Sequence, residues 1–338
     1  MVSLIHLTVL IYTYNRRDYI IKAVNTVLKQ NMNRDLFEII VVKGFVDEEI
    51  DKWLEENGVR LIFLSEKSLG KKIASGIEES RGEIIIFLDD DDEFEPTKLE
   101  KISEIFDKYR EIDYVHNSLI KINENGETID PDSLENPTDS IVFSPRNGNK
   151  ALLSQVLRYR GDWYLSSMSV RKSILLDDLN SLRGVDQSID KFIFFVSINR
   201  GRNIMLIPDK LTRYRLHHST TTYTGTKEEF INKREMFFRN TIRTFDRIVS
   251  LSANYPGKEL SACQLIQHKI NLYFISGRED SKVTTSEFIE FLRCLRLAHT
   301  RYQLIWIVGF ILRRISLELS RNLYYSFFKA SFKGIVVN

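Results

Sequence analysis

The chain has 338 residues, of which 43% are hydrophobic and 28% charged, with a net charge of +2. This is an ordinary globular composition, long enough for one large domain or two smaller ones, and it offers no global basic field of the kind that nucleic-acid binding needs. No window approaches the roughly eighteen apolar residues of a membrane-spanning helix.

The start of the chain lacks the basic segment and small-residue cleavage site of a signal peptide, so a cytoplasmic protein is expected. The two cysteines, Cys263 and Cys294, make no disulfide framework and suit a reducing cytosol, although one bridge between them stays open. Residues 7–11 read as a first strand, followed by a helix over 19–29, a strand over 37–42, a helix over 47–56 and a strand over 60–64. A helix over 71–80, a strand over 83–88 and a helix over 97–109, opened by Pro96, continue the alternation. Short apolar strands alternating with amphipathic helices imply βαβ units and a parallel sheet.

After Tyr109 the rhythm changes. A strand over 114–123 leads to a turn at Asn125-Gly126, and residues 130–150 hold three of the six prolines, which suggests a loop. An extended segment over 163–170, short strands over 204–207 and 211–214, and helices near 172–176 and over 188–199 follow. From Lys227 onward the pattern is helical. The expected class is therefore α/β, a mixed sheet flanked by helices, with a C-terminal helical extension.

The most informative junction is Ile84-Ile85-Ile86-Phe87-Leu88 running into Asp89-Asp90-Asp91-Asp92. Adjacent carboxylates repel one another, and a hard cation with oxygen preference relieves that repulsion. Ligands of open α/β sheets bind beyond the carboxyl ends of the strands, where this run would lie. The first strand ends in Thr13-Tyr14-Asn15-Arg16, a polar turn that can hold a nucleotide on backbone N–H groups, with Tyr14 stacked on a base.

These blocks, in this order and spacing, resemble family 2 glycosyltransferases. The resemblance covers roughly residues 5–222 and implies the GT-A fold: a catalytic domain over 1–225, with a nucleotide-binding half (1–112) and an acceptor half (113–225), then a helical extension over 226–338. It implies an inverting transfer from a nucleotide-sugar donor to a glycan or lipid-linked acceptor, with Mg²⁺ or Mn²⁺ held by Asp89 and Asp91. Gly184-Val185-Asp186 before an apolar helix is similar to the family's Glu-Asp motif, which makes Asp186 the catalytic base and Asp190 the fallback. Tyr214-Arg215-Leu216-His217 is similar to the segment closing the core, with Arg215 facing the diphosphate and His217, or its neighbour His218, a possible metal ligand. Asp90 would also face the donor. Ser166 to Lys172 resembles a small-residue strand beneath the active site, and Trp163 is an acceptor-stacking candidate.

Two positions depart from the family pattern. Lys43 stands where an acid usually recognises the base, and Lys71 or Lys72 is a phosphate candidate in place of an Arg-Asn pair. Lys43 and Val185 keep open an alternative, a catalytically degenerate nucleotide-binding or scaffold protein with the same fold.

Between Arg293 and the C-terminus eight basic residues face one acid, Glu318. A short apolar run over 304–312 has arginines on both flanks, a pattern that lies in a membrane interface rather than spanning it. Peripheral contact through 290–338, at the inner membrane face, is the expectation. The aromatic stretch Tyr324, Tyr325, Phe327, Phe328 and Phe332 suits either that surface or a homodimer contact.

Overall fold

The computed structural model describes residues 5–13, 17–130, 135–216, 226–252, 257–295 and 303–332. The first elements are β1 (Leu7–Thr13), α1 (Arg17–Leu28), β2 (Phe37–Lys43), α2 (Glu48–Glu56), β3 (Arg60–Phe63), α3 (Leu69–Glu79) and β4 (Ile84–Asp89). Next come β5 (Glu93–Phe94), α4 (Lys98–Lys108), β6 (Ile112–Ile122), β7 (Thr128–Asp130), β8 (Ile141–Phe143) and α5 (Lys150–Arg158). The series continues with β9 (Met168–Arg171), α6 (Ser173–Leu176), α7 (Leu179–Leu182), α8 (Ile189–Asn199) and β10 (Asn203–Arg215).

The strands form one sheet in the order β3-β2-β1-β4-β9-β6-β10-β5, with β7 added to β6 and β8 to β10. β1 to β4 pair in parallel; the apolar runs of β1, β2 and β4 are buried, as a sheet covered on both faces requires, while the edge strand β3 is half-buried. β9 enters antiparallel between β4 and β6, which makes the sheet mixed, as expected. The β1–β4 register sets Tyr12 beside Asp89, so the strand pairing itself delivers a tyrosine to the acidic run.

Two sequence expectations are corrected here. The short strands over 204–207 and 211–214 are one strand, β10, whose register on β6 shifts between Ile207 and Lys210. Pro208 falls in that irregularity, where a missing N–H breaks no ladder bond. Part of the loop expected over 130–150 is β8, which pairs with β10 from Ile141 to Phe143.

The chain divides into two compact units, Met1–Leu216 with Leu251–Gly257, and His217–Ser250 with Lys258–Asn338. The second is built from α9 (Lys227–Leu251), α10 (Gly257–Ile275), α11 (Thr285–Cys294), α12 (Gln303–Ile315) and α13 (Leu317–Phe332). Phe230, Phe238, Phe274, Phe291, Phe310 and Tyr324 make its core, and Phe288 stacks on Phe310 with ring centres 3.7 Å apart. Tyr324 is buried, and Phe328 packs on it at 4.4 Å, so much of the aromatic stretch serves this core. Cys263 and Cys294 form a disulfide between α10 and α11, the one bridge left open above. Arg313 donates to the carbonyls of Tyr273 and Ser276, and Arg321 to that of Ile275. Both cap the C-terminal end of α10, whose unpaired carbonyls favour cations. Among the described residues no helix is long and apolar enough to cross a membrane.

Candidate active site

The acidic run forms the turn between β4 and β5, at the carboxyl end of the parallel strands. Carboxylate oxygens of Asp89, Asp91 and Asp92 lie within 4.8 Å of one another. Three hard oxygen donors at that spread fit one divalent cation, which takes such ligands at about 2.0–2.6 Å. Burial raises the Asp89 carboxyl above the ordinary carboxylate range, and the charges of Asp90 and Asp190 raise it further. Burial and Asp89 likewise raise Asp92, against hydrogen bonds from Ser166 and Arg215. A cation held there would offset this repulsion and favour the ionised carboxylates.

Four neighbours fix the turn. The Tyr12 hydroxyl donates to Asp89. Ser166 Oγ accepts the Asp89 N–H at 2.9 Å and donates to Asp92 Oδ2 at 2.6 Å. Lys98, fully buried on α4, donates to the Ser166 carbonyl and to Thr212 Oγ1; burial holds its pKa well below the usual value, and Asp92 offsets part of that. Arg215 is buried at the end of β10. Its backbone N–H donates to Asp92 at 2.8 Å, its Nε to the Asp91 carbonyl at 2.8 Å, and its terminal nitrogens to the carbonyls of Asn123 and Glu124 and to Glu93. That guanidinium braces the acidic turn, with four of its five N–H donors engaged.

The opposite wall comes from α8 and the segment before β9. Asp190 stands in the first turn of α8. Burial raises its carboxyl, while Lys191 lowers it, and its charge acts on Asp89, Tyr164 and Tyr214. Lys191 is paired at 2.5 Å with buried Asp162. Asp186, three residues before α8, is exposed. Val185, in the family's Glu position, is a core residue whose carbonyl accepts the Gly70 N–H at 2.8 Å. A Cβ on Gly70 would lie 2.0 Å from the Leu182 carbonyl and 2.4 Å from that of Val185; the start of α3 therefore supports the loop into α8. Arg160, Tyr164 and Ser188 adopt positive φ of 56°, 62° and 60°, a costly conformation for side-chain residues that gathers at functional sites. Trp163 lies among them, 41% exposed, with Arg160 and Lys191 over its ring at 4.7 and 4.3 Å.

Thr13 ends β1, and its buried hydroxyl finds no hydrogen-bond partner among the described residues. Lys43, at the end of β2, is buried and paired with Asp51, 4.6 Å from the Phe45 ring. Lys71 pairs with Glu66 at 2.9 Å, and Asp90 is buried in the turn. Tyr14, Asn15, Arg16, His217 and His218 lie outside the described residues. Sequence gives Tyr12 no site role, and gives Ser166 one only as part of the strand beneath the active site. Their signal was a hydroxyl residue in an otherwise apolar strand end, and a run of serines in a segment with no reason to be polar.

Residues 8–169 match the model for glycosyl transferase family 2, a span that holds the β1 end, the acidic turn and Ser166. Residues 8–169 belong to glycosyltransferase family 2. The family 2 segment has curated relatives. A glycosyltransferase of Nostoc sp. described as uncharacterized is 28% identical over 221 residues, covering 62% of this chain and 65% of the relative. Another such glycosyltransferase, of Rickettsia conorii, is 31% identical over 216 residues, covering 60% of this chain and 35% of the relative. The chain thus spans less than two thirds of the length of these relatives. Among solved structures, S. aureus TarS 1-349 in complex with UDP-GlcNAc superposes with a TM-score of 0.63 at 14% identity, covering 96% of this chain and 92% of that one. At that identity the likeness is one of fold, the GT-A fold expected from the sequence.

Proposed function

We propose that the protein transfers a sugar from a nucleotide-sugar donor to an acceptor hydroxyl, with inversion at the anomeric carbon, using Mg²⁺ or Mn²⁺ held by Asp89 and Asp91. The observation that carries this reading is a division of acids at one end of the sheet. A clustered set on the β4–β5 turn faces a separate carboxylate, Asp190, set in a different electrostatic environment on α8. Leaving a nucleoside diphosphate needs positive charge, which a divalent ion supplies. Activating a hydroxyl needs a base with a pKa above that of a free carboxylate.

In this reading Asp190, not Asp186, accepts the proton of the acceptor hydroxyl as that oxygen attacks the anomeric carbon. The bond from that carbon to the diphosphate oxygen breaks, and the diphosphate leaves with the electron pair. Arg215 holds the acidic turn in place rather than meeting the diphosphate. Thr13, with its unpartnered hydroxyl, and Tyr14, Asn15 and Arg16 border the nucleoside. The Lys43–Asp51 pair stands at the base-recognition end, Lys71 borders the phosphates, and Trp163 offers an exposed ring to an acceptor sugar. The UDP-GlcNAc bound by TarS makes uridine diphosphate sugars the first donors to try. The bracing of the acidic turn by Ser166 and Arg215 supports turnover over the degenerate-scaffold alternative.

A lipid-surface contact of the helical unit belongs to the same reading. Val308, Ile311, Ile315 and Leu319 are exposed at helical spacing along α12 and into α13, an apolar stripe in a strongly basic segment.

The decisive experiment is a thermal-shift panel of nucleoside diphosphates and nucleotide sugars on the full chain, with Mn²⁺ and with EDTA, followed by assay of diphosphate release. A ligand at a hundred times its Kd adds about 2.7 kcal/mol of stability. A metal-dependent shift for one nucleotide is expected. No shift with any of them, in metal or in EDTA, removes the donor site.

A further inference from the structure

The amino ends of β6 and β10 carry a second concave site, unrelated to the acidic turn. It is a cavity of about 450 Å³, within the size range of small-ligand sites. Three separate segments meet there: the α4–β6 turn and the start of β6 with Arg110 and Asp113, the segment after β8 with Arg146 and Asn147, and the α8–β10 turn with Arg202. β10 runs from this cavity at Asn203 to the acidic turn at Arg215, so the two sites lie on the order of 35 Å apart at 3.2–3.4 Å per strand residue.

Its electrostatics are lopsided. Asp113 is the acid at its centre, and the charges of Arg202, Arg171 and Arg146 all act on it. The nearest guanidinium nitrogens, from Arg171 and Arg202, stand 3.8 Å from its carboxylate, beyond hydrogen-bond reach. Arg146 forms no hydrogen bond or ion pair among the described residues, and the buried Arg202 Nε has no hydrogen-bond partner among them. Arg146 is nonetheless located, because its side chain lies against Gly201, whose φ is +67°. Two carboxylates, Asp113 and Glu111, line the cavity beside three arginines, and Arg146 with the Arg202 Nε keep donors that these acids do not take up. Arginine forks match phosphate and carboxylate oxygens in pairs, while Asp113 and Asn147 can take hydroxyl groups.

We propose that this cavity binds a sugar bearing a phosphate or carboxylate, with the anionic group on Arg146 and Arg202 and sugar hydroxyls on Asp113 and Asn147. The proposal is independent of the donor-site reading, since it shares no residue with it.

The test is calorimetric titration of the full chain with inorganic phosphate, glucose 6-phosphate, glucuronate and unmodified glucose, at constant ionic strength and with the donor site saturated by nucleotide and Mn²⁺. If no nucleotide binds, an Asp89→Ala variant without metal takes the place of that saturated protein. Saturable binding of glucose 6-phosphate or glucuronate, tighter than that of inorganic phosphate and absent for glucose, is expected. Arg146→Ala and Arg202→Gln should each weaken it at least tenfold. Arg146 makes no bond that the fold depends on, so an unchanged circular dichroism spectrum and melting point are expected for Arg146→Ala. Equal binding by wild type and both variants, binding of inorganic phosphate alone, or no saturable binding overturns the proposal. Loss of nucleotide binding with sugar-anion binding intact would count against the donor reading only.

Discussion

The Ser166 hydroxyl donates to Asp92 Oδ2 at 2.6 Å and in the same position accepts the N–H of Asp89 at 2.9 Å. One donor and one acceptor fix its rotor, so a single side chain ties both ends of the acidic turn together. Removing it strips Asp92 of a bond that lowers its pKa and leaves a buried backbone donor unmet. Ser166→Ala is expected to destabilise the first unit by about 1–3 kcal/mol and to weaken Mn²⁺ binding. Denaturant melts and metal titration measure the two effects. An unchanged metal affinity would mean the turn holds its shape without the serine.

The two aspartates around the start of α8 separate by environment. Asp190 is pushed up by burial and faces the acidic cluster, whereas Asp186 is exposed. Asp190→Asn should therefore lower kcat by about 10²–10⁴, the usual contribution of a general base, with nucleotide binding retained. Asp186→Asn should stay near wild-type rate. The reverse order would return the base to Asp186.

This contrast also marks how far sequence reading reaches. The parallel sheet was legible because β1, β2 and β4 are apolar on both faces, and the acidic cluster because it ends such a strand. Choosing between Asp186 and Asp190 was not, since the choice depends on where α8 begins, and Ser188 enters it in a left-handed conformation that its residue type does not announce. The bracing position of Arg215 was equally hidden. Most of its partners are backbone carbonyls, of Asp91, Asn123 and Glu124, and backbone groups carry no residue-specific signature. β10 was split in two because Pro208 reads as a breaker until a bulge is seen to absorb it.

Gly70 gives a test of the support beneath the base loop. With two carbonyls within 2.4 Å of an added Cβ, backbone must move. Gly70→Ala is expected to reduce turnover more than nucleotide affinity, because the displaced segment leads to Asp190 rather than to the β1 or β4 ends. Steady-state kinetics beside nucleotide titration separate the two, and an equal loss in both would locate the damage elsewhere.

His116 provides a pH dependence with a definite sign. Burial lowers its pKa to about 4, against a bond to the Trp163 carbonyl at 2.8 Å that raises it. The unfolded chain, with an ordinary histidine, binds a proton between about pH 6.5 and 4 that the folded chain refuses. Its contribution is therefore complete above pH 6.5 and is lost as pH falls toward 4, by about 3 kcal/mol at most. Asp89 and Asp92, raised rather than lowered, act in the opposite direction over the same range. The clean quantity is the wild-type minus His116→Gln stability difference from urea melts between pH 4 and 7. It should shrink on acidification, and a difference independent of pH would show that His116 keeps an ordinary pKa.

The apolar stripe on α12 and α13 tests the lipid contact. Ile311 is 54% and Ile315 71% exposed, so charging them leaves the core of the helical unit untouched. Arg313 and Arg321 are already engaged on α10 carbonyls, which leaves apolar insertion, more than those two charges, to hold a membrane. Wild-type protein is expected to float with vesicles containing anionic lipid, and Ile311→Glu with Ile315→Glu should abolish flotation while leaving the melting point unchanged. Raising salt should weaken binding less than the double substitution does, since burial of aliphatic surface is not screened whereas exposed charge attraction is. If the double variant floats as before, the stripe is not the lipid contact; if it instead halves the mass seen by light scattering, the stripe joins two copies of the chain.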